Sequence, residues 1–249
     1  MINSPQQRRV ARQQQLSNDF QDPISRRGSS RNKAPITVDK IVEAAFSIIA
    51  KEGYEALTMR SLAIALETGP ASLYAHVVNK ADLDELLIVH LCNQIKLPKP
   101  DPTKWREQII DVCIQLRDQN LRYPGIAKAT FAVVPSSLDI FRINEGMLSI
   151  LLAGKIGPQT ATWTNDALLL YINAYCLEQS MLDQPPDQFD NVFGVNRGDL
   201  LHRFENLPDT FPNTRRYAKQ MTSGKGHERF DFTLRLIINS LQPQKKDTL

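Results

Sequence analysis

The chain has 249 residues, 42% of them hydrophobic, and 30 lysines and arginines against 27 acids for a formal net charge of +3. That supplies one or two compact units with a sizeable core, and no apolar run approaches the length of a membrane span. No apolar stretch follows the positive charges at the N-terminus, so a secretory signal is not expected and the cytoplasm is the expected location. Cys92, Cys113 and Cys176 are odd in number, far apart and without CxxC spacing, which reads as buried thiols in a reducing compartment.

The small net charge hides an asymmetry. Residues 1–35 carry seven cations against Asp19 and Asp22, a net +5, and are rich in Gln, Arg, Ser and Asn. Such a composition cannot bury enough surface to order itself, so residues 1–35 are expected to form a disordered basic arm. Either it is a solvated tail, or its arginines enter a DNA minor groove beside the domain that follows. That domain, residues 36–95, holds four cations against eight acids, a net −4.

Thr37 stands where it can cap a first helix, Val38 to Glu52, with Ile41, Val42, Ala45, Phe46 and Ile49 on one face and Gly53 as its stop. Two short helices follow, Thr58–Leu66 and Pro70–His76. Thr58 is placed as an N-cap ahead of Met59, Leu62, Ala63 and Leu66, whose spacing fits one helical face. Glu67-Thr68-Gly69 breaks that pattern, and Pro70 opens the next helix at the position where a missing N–H costs nothing. Leu73 and Val77 turn inward, leaving Pro70, Ala71, Tyr74 and His76 outside. This is a helix-turn-helix, the arrangement that puts one helix into the major groove of DNA. Asn79 then caps a fourth helix, with Asp82 three residues on, running through Leu83, Leu86, Leu87, Val89 and Leu91 to about Ile95. A phosphate fits the positive end of that helix, beside Lys80.

The run LTMRSLAIAL…GPASLYAHVVNKADLDELL resembles the DNA-binding head of the TetR family of bacterial transcriptional regulators, with Leu-Tyr-x-His followed by Asn-Lys as its most specific part. Two positions depart from the usual form, Glu67 where Gly is common and Gly69 where a small polar residue is frequent. With this resemblance in hand, Arg60, Pro70, Ala71 and Ser72 are the candidate base contacts. Arg60 can take a guanine edge with two parallel bonds, Pro70 and Ala71 can pack on a thymine methyl, and Ser72 can bond to several bases. Thr58, Tyr74, His76 and Lys80 are assigned to phosphates, which fix register without reading sequence.

Beyond the proline-broken connection at residues 97–104, the signals remain helical: Trp105 to Arg122, a short piece ending at Phe131, Leu138 to Ala153, and Asp166 to Leu182. The last of these is apolar nearly all round and is expected to be buried on both sides. Residues 183–225 read as a long proline-marked insertion with short helices around Leu200–Asn206 and Asn213–Met221, and an amphipathic helix from Glu228 to Leu241 closes the chain. The expected fold is therefore all-α: an arm (1–35), a helix-turn-helix domain with its connecting helix (36–95), and a larger helical regulatory and dimerisation domain (96–249).

The similarity continues more loosely through RYPGIAKATF and RFDFTLRLIINSL. It implies a small-molecule effector pocket in the larger domain, a homodimer through the last two long helices, and, from that two-fold symmetry, a palindromic operator. Trp105, Phe131, Phe141, Met147, Trp163, Tyr171 and Tyr175 are candidate pocket walls, with Gln115, Asn120, Asn173 and Glu178 as polar anchors. No cofactor and no metal are expected. An enzyme finds no support, since P-loop, HExxH, GxSxG and GxGxxG motifs are absent. The alternative is a ligand-independent helical module that binds DNA or another protein.

Overall fold

A computed structural model of the chain describes residues 36–132, 137–182 and 197–244, together with Val10. The expectations for the basic arm and for the first part of the insertion fall outside these residues. Among the described residues every regular element is helical, so the fold is all-α as the sequence implies. They divide into two compact units: one takes the described residues up to Leu177 with Pro243 and Gln244, the other those from Glu178 to Gln242.

The first unit begins with α1 (Val38–Glu52), capped by Thr37, whose hydroxyl accepts the Lys40 N–H at 3.3 Å. Gly53 ends it with φ +81°, in the left-handed region that costs glycine nothing, and returns its N–H to Ile49 at 2.9 Å. A 3-10 turn at Tyr54–Ala56 leads into α2 (Met59–Ala65), α3 (Pro70–Leu73) and α4 (Lys80–Asn93). Ile41, Ala45, Ile49, Leu62 and Leu73 have no more than trace exposure, and α1 packs on α2 and α4 while α2 packs on α3. Full burial of such side chains stabilises by about 1.5–3 kcal/mol each before chain entropy is charged.

The third helix is shorter than the sequence pattern indicates. It closes at Leu73 because the Leu73 carbonyl takes both the His76 N–H (2.8 Å) and the Val77 N–H (2.9 Å), a tight turn that swings Val77 into the core. Asn79, fully extended, then caps α4 by accepting the Asp82 N–H at 2.9 Å. Asp82 reciprocates one residue further out, accepting from the Val78 N–H at 2.7 Å.

The unit continues with α5 (Trp105–Leu121), α6 (Ala127–Ala132), α7 (Leu138–Ala153) and α8 (Pro158–Leu182). The helix α4 packs on α5, α6 and α7, and α5 packs on α7. The connection before α5 is held along that helix by two glutamines seven residues apart. Gln115 accepts the Lys96 N–H (2.8 Å) and donates to the Lys96 carbonyl (3.1 Å), while Gln108 accepts from Asp101 (2.9 Å) and donates to the Lys99 carbonyl (2.8 Å). The connection therefore cannot swing freely.

The helix α8 starts at Pro158, two turns earlier than its apolar run. Its opening residues Gln159, Thr160, Thr162 and Trp163 are exposed, so no apolar stripe marks them. Its burial is also one-sided. Leu168, Ile172, Tyr175 and Cys176 are buried, but Ala167, Leu170 and Ala174 face outward, so within the chain one side of this apolar helix is covered and the other is open.

The second unit holds the end of α8 with α9 (Arg197–Glu205), α10 (Pro212–Arg216), α11 (Ala218–Met221) and α12 (Glu228–Ser240). The helix α9 packs on α10 and α11. In α12 the stripe read from the sequence is real: Phe230, Leu234 and Ile238 are buried, followed by Leu241, while Phe232 and Leu236 on the other face are exposed.

Candidate nucleic-acid interface and interior cavity

The helix-turn-helix is fixed by its own short-range bonds. Thr58 and Ser61 form a reciprocal box, the Thr58 hydroxyl accepting the Ser61 N–H at 3.0 Å and the Ser61 hydroxyl accepting the Thr58 N–H at 2.9 Å. Ser61 also donates to the Ala56 carbonyl at 2.7 Å, which ties α2 back to the 3-10 turn. Glu67 occupies the left-handed position with φ +49°, and the Thr68 N–H reaches the Ala63 carbonyl at 2.9 Å. A non-glycine residue there carries a modest strain, of about 1 kcal/mol or more. Gly69 caps α3 with extended backbone (φ −83°) and open space where a Cβ would stand, so no steric reason demands glycine at that position.

Pro70, Ala71 and Ser72 are all exposed, Tyr74 is 44% exposed, and Leu73 and Val77 beneath them are buried. The outer face of α3 is thus rigidly backed and open to a partner. Arg60 and Thr58 are exposed on α2, and His76 is half-buried at the turn after α3. Seven of the eight sequence-derived DNA candidates lie on these exposed or rim positions.

Lys80 is placed differently. Its ammonium donates to the Tyr54 hydroxyl at 2.9 Å and to Asp84 at 2.5 Å, and lies 4.0 Å from the centre of the Tyr54 ring. Asp84 is buried, and burial together with that carboxylate drives the Tyr54 hydroxyl far above its ordinary range. The Tyr54 N–H in turn donates to the Pro124 carbonyl at 2.9 Å, and Glu55 pairs with Lys128 of α6. Gly125 (φ +81°) lets this approach happen, since a Cβ there would press on the Tyr54 Cβ at 3.2 Å. The helix-turn-helix is therefore joined to the α5–α6 corner as well as to α4.

A cavity of about 320 Å³ opens between α4, α5, α6, α7 and α8, lined by residues that include Ile88, Leu91, Cys92 and Ile95, with Asn120, Phe131, Ile143, Asn144, Asp166 and Asn173. Buried side chains of α4 and α7 form its floor, and Phe131, Asp166 and Leu170 are exposed at its rim. Burial holds the Cys92 thiol at about 11, with Arg142 opposing the shift and Asp139 adding to it. Arg142 donates to the carbonyls of Cys92 (2.5 Å) and Ile95 (3.4 Å) and so closes the C-terminal end of α4.

Of the eleven pocket candidates read from the sequence, Asn120, Phe131 and Asn173 line this cavity, and Phe141 and Trp163 are exposed. The others stand elsewhere. Trp105 is buried against Gly154, whose hypothetical Cβ would fall 2.5 Å from the indole. Gln115 pins the connection at Lys96, Met147 is fully buried core, and Tyr171 and Tyr175 pair with each other at 6.3 Å. Glu178 belongs to the second unit, where Arg229 of α12 donates to it at 3.1 Å. Sequence reading missed the contribution of α4. Its signal was the excess of apolar residues, since Leu83, Leu87, Ile88, Leu91 and Cys92 exceed what one packed face requires. Among the described residues no cluster of His, Cys, Asp and Glu could hold a metal, and no helix is long and apolar enough to cross a membrane.

Residues 97–244 match the family described as "Tetracyclin repressor-like, C-terminal domain", and residues 41–85 match "Bacterial regulatory proteins, tetR family". An HTH-type transcriptional regulator of Saccharopolyspora erythraea is 37% identical over 98 residues, which are 39% of this chain and 42% of that protein. This chain thus matches about two-fifths of that curated relative's length. The crystal structure of ActR from Streptomyces coelicolor in complex with actinorhodin is 34% identical, covers 83% of this chain and 95% of its own, and superposes with a TM-score of 0.71. The structure of BioQ with its natural double-stranded DNA operator is 26% identical, covers 60% of this chain and 90% of its own, with a TM-score of 0.53.

Proposed function

This chain belongs to the TetR family of DNA-binding transcriptional regulators, and from that premise we propose that it is a repressor which a small-molecule effector releases from a palindromic operator. The observation that carries the reading is the continuity of α4. One end carries the Asn79 cap and Lys80 beside the helix-turn-helix, and the other end, through Ile88, Leu91 and Cys92, forms cavity wall. An occupant that prefers one position of α4 must bias the position of α3.

In this reading two copies pair through the outward faces of α8 and α12, which present Leu170, Phe232 and Leu236. Each copy inserts Pro70, Ala71 and Ser72 into a major groove, Arg60 reads a guanine from α2, and Thr58, Tyr74 and His76 meet phosphates. Two of the three Lys80 N–H donors are committed to Asp84 and Tyr54, so its first role is to hold the head on α4, with one N–H left for a phosphate. Residues 1–35 and 36–95 act as arm and head, and the remainder regulates and dimerises.

The test is a gel-shift titration of the full chain on DNA from upstream of its own gene, across salt concentrations. Specific retention that weakens steeply with salt, and release on adding a compound that raises the melting temperature, support the reading. Absence of retention on every duplex at low ionic strength would refute it.

A further inference from the structure

The chemistry of the cavity wall selects a class of occupant, an inference that rests on reading the cavity as the effector site. Its floor is apolar, from Ile88, Leu91 and Ile143, and the formal charge among its lining residues is that of Asp166 at the rim. Arg142 is not among the lining residues: its guanidinium donates to the Cys92 and Ile95 carbonyls, and its positive charge reaches the wall at the Cys92 thiol.

Two of the polar wall side chains are satisfied within the protein. Thr130 donates to the Ala127 carbonyl at 2.6 Å, and Asn144 donates to Ile140 at 3.3 Å while accepting from Asn165 at 3.0 Å. Asn120 is not. Only 8% exposed, it donates through Nδ2 to the Leu116 carbonyl at 2.9 Å, and its Oδ1 meets no donor. Asn165, linked to the wall through Asn144, has the same orphaned Oδ1. Among the described residues these are the two buried side-chain polar atoms without a partner, and both are acceptors. A buried acceptor without a donor carries its full desolvation cost, which the right partner removes.

We propose that the cavity takes an uncharged, largely apolar ligand bearing a hydroxyl or N–H donor, which Asn120 Oδ1 accepts after a turn of its amide into the cavity. The turn gives up the Nδ2 bond to the Leu116 carbonyl at 2.9 Å, and the freed N–H then needs an acceptor, which the oxygen of a ligand hydroxyl supplies. An anionic ligand would face the Asp166 carboxylate at the rim, and no lysine or arginine stands among the described lining residues.

The experiment titrates the full chain at neutral pH with 2-naphthol, 2-methoxynaphthalene and 2-naphthoate, in the native sequence and in Asn120→Leu. The native protein should bind 2-naphthol about tenfold more tightly than its methyl ether, and 2-naphthoate most weakly. In Asn120→Leu that preference should fall to about twofold or less, with a melting temperature no lower than native because an unsatisfied acceptor has been replaced by an apolar group of similar size. Asp166→Asn, at the exposed rim, provides an independent arm: it should strengthen 2-naphthoate binding while the preference for the phenol persists. Equal affinities for phenol and ether in the native protein, tightest binding of 2-naphthoate, or no binding of all three would overturn the proposal. The same compounds are added to the DNA complex. Binding by the donor rule without DNA release would leave this inference standing and refute effector release, whereas release without donor preference would do the reverse.

Discussion

The segment from Thr58 to Val77 keeps its shape through bonds that span three to five residues, whereas the cavity wall is gathered from five helices between Ile88 and Asn173. The first region is nearly self-defining: its caps and most of its turns are set by neighbours in the chain, while its buried residues rest on α1. The second exists only when α4 through α8 are packed. The difference teaches why a helix-turn-helix can be recognised in a sequence while a cavity gathered from distant helices cannot.

Breaking the first region should produce the largest effect. Leu73 is fully buried beneath the outward face of α3, so Leu73→Ala should cost about 2–5 kcal/mol and abolish specific DNA binding. Binding of 2-naphthol, monitored by calorimetry below the melting temperature, should survive; its loss would mean the two regions fold as one.

Surface changes within the head should separate reading from anchoring. Arg60→Ala should relax preference at one base position by about 1–3 kcal/mol, while Tyr74→Ala should weaken cognate and random duplexes alike. Competition gel shifts with single-base variants of the operator distinguish the two, and equal losses at all sequences for Arg60→Ala would assign it to the backbone.

The joints between the regions should respond more weakly. Lys80→Ala deprives buried Asp84 of its ammonium partner and should lower stability by about 1–2 kcal/mol. The slope of DNA affinity against salt should change little, whereas a lysine bound to a phosphate would flatten it by about one unit on removal. Lys128→Ala opens an ion pair with Glu55, whose side chain is 63% exposed, so screening keeps its effect on stability below about 1 kcal/mol.

The smallest expected effect is a pH dependence in the core of the regulatory helices. Burial holds the Cys113 thiol at about 12 against an ordinary 9.0. The folded state favours the neutral form, so this contribution to stability is complete below 9.0 and is lost progressively as pH rises toward 12. Alkylation by iodoacetamide at mildly alkaline pH should accordingly wait for unfolding, and rapid labelling of the native protein would contradict the burial.

Legibility follows the same division. Thr37, Gly53, Thr58, Pro70 and Asn79 are local signals, and each falls where the structure uses it. The length of α3 was not legible, because the turn at Leu73 depends on Val77 entering a core that α1 helps to form. Nor was the polar opening of α8, whose exposed first turns carry no apolar stripe. In the cavity, large size misled: Trp105, Met147 and the Tyr171–Tyr175 pair pack elsewhere, while smaller residues of α4, together with Asn144 and Asp166, make the wall. Aromatic residues report that a core exists, not which part of it is hollow.

The central claim is that paired copies present the segment from Pro70 to His76 to successive major grooves of one duplex. A hydroxyl-radical footprint of the native protein, with methylation interference on the same DNA, tests it most directly. Two symmetric half-sites should appear, with interfering guanines in major grooves whose centres lie one helical turn, about 34–36 Å, or a multiple of it apart. A single unpaired site, protection confined to the minor groove, or an unprotected duplex at low ionic strength would contradict the account.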